Sequence, residues 1–123
     1  MRIAEITQYV KSLVPYTYYA YSFPINGKDD SVVVMVNAGS PIEDSGVRRP
    51  SIQLLVRGKA NGLAQTEELA WELYHALKYK RDFMIGETSV VEMRARQSAP
   101  IWTGVDEAKR PIFSLNFDTT IRN

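Results

Sequence analysis

Val32, Val33, Val34, Met35 and Val36 form the longest unbroken apolar run in the chain, and both alternating registers of that run are apolar. Successive side chains of a strand point to opposite faces, so such a segment needs cover on both sides or a central place in a sheet. Five residues are far too few for a membrane helix, which takes about 20. Other extended segments alternate more cleanly. SIQLLVR sets Ile52, Leu54 and Val56 inward against Ser51, Gln53 and Arg57, and PIFSLNFDTTI sets Phe113, Leu115 and Phe117 against Ile112, Ser114 and Asn116. TSVVEMRARQ reads as a further strand, and the aromatic-rich YTYYAYSF as another, with Tyr19, Tyr21 and Phe23 sharing one face. Between that segment and the valine run, PINGKDD carries Asn26-Gly27, a hairpin-turn signal.

Two segments have helical spacing instead. Ile3, Ile6, Val10, Leu13 and Val14 make a one-sided stripe that Pro15 terminates. A second helix is expected over 62–80, capped by Asn61, with Glu67 and Glu68 towards its positive end and Lys78, Lys80 and Arg81 towards its negative end. The order α-β-β-β-α-β-β predicts an α+β fold with a mostly antiparallel sheet of about five strands flanked by two helices. At 123 residues the chain is expected to be a single domain.

Composition narrows the chemistry. Fifteen basic against fourteen acidic residues leave a net charge of +1, too little to hold nucleic acid or an anionic membrane by bulk charge. Without cysteine there is no disulfide, thiolate metal site or cysteine nucleophile. The opening MRIAEITQYVKSLV, broken by Arg2, Glu5 and Lys11, does not read as a secretory signal, so a soluble cytoplasmic product is expected. No GxSxG, glycine-rich phosphate loop or HExxH occurs, and the one histidine, His75, reads as an exposed helix residue. The acidic pairs Asp29-Asp30, Glu43-Asp44 and Asp106-Glu107 fall in turns, where carboxylates cap backbone amides. The expectation is a protein without catalysis, cofactor or metal. Tyr16, Tyr18, Tyr19 and Tyr21 suggest a stacking surface for bases or a ligand, although residues 12–27 bring no Lys or Arg to it. A small cytoplasmic ligand- or nucleic-acid-binding domain built on this strand is the alternative reading.

The segment QLLVRGKANGLAQTEELAWELYHAL, a strand with its arginine followed by an amphipathic helix, resembles one found in tailed-bacteriophage minor capsid and tail-terminator (tail completion, head–tail joining) proteins. The closing PIWTGVDEAKRPIFSLNFDTTI is similar to their ending, a turn with Gly and Asp before a last strand with an aromatic-Asn-Phe centre. Together they cover roughly residues 50–123. The resemblance implies a structural virion protein, made in the host cytoplasm and placed at the tail–neck junction. It implies a ring, usually a hexamer, at the head-proximal end of the tail. Such a ring stops tube growth, contacts the tail tube protein and a neck or head-completion protein, passes DNA without sequence-specific binding, and touches no membrane.

A ring subunit must present two different complementary patches. Advancing 100° per residue, Leu69, Ala70, Leu73, Ala76 and Leu77 form the core side of the second helix. Glu67, Trp71, Tyr74 and Lys78 fall away from it and are the candidate subunit interface, because Trp and Tyr dominate interface energetics. Trp102, expected in a short turn beside the sheet, is the other interface candidate. Residues 37–50, NAGSPIEDSGVRRP, lack periodicity and are rich in Gly and Pro. They form an expected exposed loop, with Glu43, Asp44, Arg48 and Arg49 available to a partner.

Overall fold

The computed structural model describes residues 1–122. In chain order it contains α1 (Ile3–Leu13), β1 (Tyr18–Ala20), β2 (Ser31–Asn37), β3 (Val47–Arg48), β4 (Ser51–Arg57), α2 (Leu63–Leu77), β5 (Tyr79–Ile85), β6 (Thr88–Ala95), β7 (Ile101–Val105) and β8 (Pro111–Arg122). The sheet runs β1-β2-β4-β8-β6-β5, with β3 and β7 also paired to β8. The long β8 organises it. One edge of β8 faces β4, from Ser51 opposite Asp118 to Arg57 opposite Ile112. Its other edge is shared, with β7 on Pro111–Ser114 and β6 on the stretch from Phe117 to Ile121. Two partners fit on that edge because β8 is twelve residues long and alternates almost throughout.

Both helices belong to one core with the inner face of the sheet. Ile6, Val10 and Val14 from the N-terminal segment and Ala70, Leu73 and Leu77 from α2 bury themselves against Val32, Val34, Ile52, Leu54, Leu115, Phe117 and Ile121. As expected of a run apolar in both registers, Val32, Val33 and Val34 are all fully buried, in a strand flanked by β1 and β4. α1 touches β1 and β2 at one end of the strand order and β5 at the other, so the sheet curls around the core. Tyr9 stacks on Phe83 at 5.4 Å, and the Glu5 carboxylate accepts the N–H of Glu87 at 3.2 Å and that of Arg2 at 2.9 Å. These amides hold the Glu5 carboxyl below its ordinary pKa.

The α+β class and antiparallel character agree with the sequence, while several details need correction. The described residues form eight strands rather than about five, since β3, β5 and β7 lie in stretches read as loop, helix end and turn. β1 and β2 are parallel, so Asn26-Gly27 does not close a hairpin between neighbouring strands. Tyr21 adopts φ +68° and ends β1, and the chain returns across the outer face. There Phe23 lies under the Arg57 guanidinium at 4.0 Å, and Arg57 donates to the carbonyls of Asp29 and Lys28 at 2.9 and 3.0 Å. α2 is shorter than 62–80 at both ends. Asn61 takes φ +63° and Gly62 occupies the N-cap without a side-chain bond, so Asn61 does not cap the helix. No acidic residue lies in the first turn, because the helix starts at Leu63 and puts Glu67 and Glu68 in the second. Lys80 and Arg81 belong to β5.

Candidate assembly surface

Buried residues Thr66, Ala70, Leu73 and Leu77 fix which way α2 faces, with Leu69 and Ala76 partly buried beside them. Of the four residues placed on its outer side, Glu67 and Lys78 are exposed, while Trp71 and Tyr74 are half-buried. Tyr74 leans on the core edge, and Trp71 meets it edge-on at 5.4 Å. His75 joins them: its ring stacks on Trp71 at 5.5 Å and crosses Tyr74 at 5.7 Å, and the Lys78 Nζ lies 3.5 Å from its Nδ1. Helical spacing explains the cluster, since residues three and four apart are surface neighbours. His75 is therefore part of an aromatic surface rather than an isolated polar residue. Glu72 points the other way, towards Tyr18, whose hydroxyl donates to the Val14 carbonyl at 2.6 Å. Burial first, and Glu72 second, push the Tyr18 pKa well up.

Trp102 is not in a turn. It lies in β7, where Thr103, Gly104 and Val105 continue the extended chain, and Gly104 relieves a bulge with φ +103°. Its ring rests on Phe113 at 5.2 Å and is half exposed. Ile101 and Val105 of the same strand are also exposed, so β7 shows an uncharged apolar edge. The turn that follows is held by Asp106, which accepts the N–H groups of Ala108 and Arg110 and the Arg110 guanidinium at 2.8 Å. Although desolvation opposes it, this set of donors keeps the Asp106 carboxyl below its ordinary pKa. Arg110 also reaches Asp29 at 2.8 Å, tying this turn to the segment on the outer face.

Residues 37–45 are exposed throughout, as the loop reading expected. Glu43 and Arg49 pair at 2.8 Å, and Arg49 also bonds Thr120 at 3.1 Å. Asp44 is exposed, and Arg48 sits in β3 opposite Ile121. Gly39, at φ +76°, lies so close to the Arg49 carbonyl that any Cβ there would collide with it. The four charged candidates therefore gather around one small, internally bonded loop.

The tyrosines do not form one platform. Tyr18 packs on the helix side, while the Tyr19 hydroxyl accepts the Lys28 N–H on the opposite face, and Tyr16 reaches Asp30 at 3.5 Å. Of the four, only Tyr21 is largely exposed. A cleft of about 350 Å³ between Tyr16, residues 57–62 and the start of α2 holds one buried cation, Arg57, already engaged by backbone carbonyls. Among the described residues no cluster of His, Asp or Glu could hold a metal ion, and no helix is long and apolar enough to cross a membrane.

Sequence reading missed a second surface, on β5 and β6. Tyr79, Arg81, Glu92 and Arg94 lie together on the outer face, with Arg81 and Arg94 sharing Glu92 at 3.2 and 3.3 Å. The Arg94 guanidinium lies 4.7 Å from the Tyr79 ring. Arg94 had a signal in its alternation with Arg96. Tyr79 and Arg81 had none, because they looked like the end of a helix.

No curated protein matches the chain. Among solved structures it is similar to a chain in the virion of a native gene transfer agent particle, with a TM-score of 0.67 and 17% identity, over 93% of this chain and 84% of that one. At that identity the likeness is one of fold. The family described as bacteriophage tail terminator protein matches residues 5–123, nearly the full length, and it is to this family of phage tail proteins that the chain belongs.

Proposed function

We propose that the chain is a single-domain subunit of a ring, six copies in all, that closes the head-proximal end of a phage tail. The family match over residues 5–123 carries this reading. The ring stops tube growth, seats on the tube protein and offers its other side to a neck or head-completion protein. DNA passes through the lumen, and a net charge of +1 suits a channel that must not grip it. The protein works by shape and assembly rather than catalysis, with no cofactor. Its surface supports the reading: Trp71 and Tyr74, flanked by Glu67 and Lys78 on α2, and Trp102 on β7 show aromatic area that the fold leaves partly uncovered. The loop carrying Glu43, Asp44, Arg48 and Arg49 is the surface we assign to a tail or neck partner.

Electron microscopy of the purified protein, alone and with tail tubes, tests the proposal. Six-fold rings, on tube ends or free, support it. A protein that stays monomeric and never attaches to tubes refutes it.

A further inference from the structure

Two surfaces of the chain differ in charge and lie on opposite faces of the sheet. On α2, Glu67 and Glu68 sit one helical turn before Trp71, on either side of it, and form no ion pair among the described residues. On the outer face of β5 and β6, Arg81 and Arg94 divide a single carboxylate, Glu92, and Asp82, next to Arg81 in the chain, adds a second negative charge near it. Their side chains are 54% and 60% exposed, and Tyr79 beside them is half exposed. Tyr79, Arg81 and Met84 alternate away from the core, whereas Phe83 and Ile85 face it. One patch is thus an aromatic cluster with two exposed carboxylates at its N-terminal end and Lys78 at its C-terminal end, and the other is an aromatic beside two guanidinium groups that share Glu92.

We propose that these two patches are the complementary halves of one contact between copies of this chain. Glu67 and Glu68 of one copy meet Arg81 and Arg94 of the next, and Trp71 seats against Tyr79. The inference rests on the ring reading and adds which surfaces meet. Charge complementarity at the residue level selects a second copy as the occupant, since Glu67 and Glu68 form no ion pair among the described residues while Arg81 and Arg94 have one carboxylate bonded between them. The placement agrees: patches that differ and lie on opposite faces make a head-to-tail contact, which closes into a ring when the rotation allows. Arginine suits the role because its guanidinium bonds a carboxylate in two places and stacks on an aromatic ring.

The test uses two full-length variants. One carries Glu67→Arg and Glu68→Arg, the other Arg81→Glu and Arg94→Glu, and ring formation on tail tubes is counted by microscopy. Each variant alone should form rings at least about tenfold less often than the parent, because like charges would face each other. Mixed in equal amounts they should recover rings, with the two kinds alternating. Circular dichroism and melting check that each folds. If the strand variant does not, Arg94→Gln replaces it, paired with added salt, which should lower ring yield in the parent and less in that variant. Rings from both folded variants alone would overturn this pairing and leave the ring reading standing. Failure of the mixture to recover rings would also overturn it. Rings that persist while tube attachment is lost would assign the α2 patch to the tube protein instead. No ring from the parent itself would remove the ring reading, and this inference with it.

Discussion

α1 and α2 cover the same face of one sheet, yet they show solvent very different surfaces. Apart from partly exposed Leu13, the outward residues of α1 are small, polar or charged, namely Ala4, Gln8, Lys11 and Ser12, with Arg2 at its N-cap. Its one aromatic residue, Tyr9, is used inside the subunit against Phe83 and under Lys80. α2 instead carries Trp71, Tyr74 and His75 packed on one another, with unpaired acids a turn away. Covering the core does not require this, since α1 does so without it. The extra aromatic area on α2 is the surface we propose for a partner.

The comparison can be broken first at the inward faces, where the two helices should behave alike. Ile6 and Leu73 are both fully buried, so Ile6→Ala and Leu73→Ala should each cost about 2–5 kcal/mol in denaturant unfolding. A loss from only one of them would show that the helices do not share one core. Outward faces should then diverge. Trp71→Ser should cost about 1–2 kcal/mol, well below the 3–5 kcal/mol of a fully buried tryptophan, and should abolish rings. Gln8→Ser on α1 should leave both melting and rings unchanged. Unfolding of the Trp71 variant, with rings forming from whatever stays folded, would make Trp71 a core residue.

Trp102 sharpens how far the partner surface extends. With half its ring exposed over Phe113, Trp102→Ala should again lose about 1–2 kcal/mol, measured by thermal melting, while ring yield falls. Normal rings would confine the interface to other elements. The smallest effect belongs to α1. The lowered carboxyl pKa of Glu5 means that its contribution is complete above the ordinary glutamate range and is lost as pH falls through the lowered value. Glu5→Gln should therefore be slightly less stable than the parent at pH 7. The two unfolding midpoints should converge as the solution becomes more acid. A gap that stays constant with pH would show that Glu5 acts by packing rather than by charge.

What the sequence determined by itself was local periodicity and the chemistry it excludes. The α1 stripe ended by Pro15, the doubly apolar β2, the alternation of β4 and β8, and the outward placement of Trp71 all follow from side chains repeating at a fixed spacing. The α+β class was legible for the same reason, and the family was legible from the resemblance of two segments, QLLVRGKANGLAQTEELAWELYHAL and PIWTGVDEAKRPIFSLNFDTTI, to phage tail-terminator proteins. Tertiary structure decided what depends on distant partners. YKRDFMI has charges at three of its seven positions, and it becomes β5 because it is a sheet-end strand, pairing only with β6. IWTGV becomes β7 because β8 is long enough to hold a second partner, and β1 runs parallel to β2 because Tyr21 turns the chain back over the outer face. The surface joining Tyr79 and Arg81 to Arg94 was illegible for that reason, since its members meet only across a strand pair. Pairing is decided between segments and not within one: YKRDFMI and IWTGV show no clean alternation of their own and become strands only against β6 and β8, while β2, β4 and β8 pair residues farther apart in sequence.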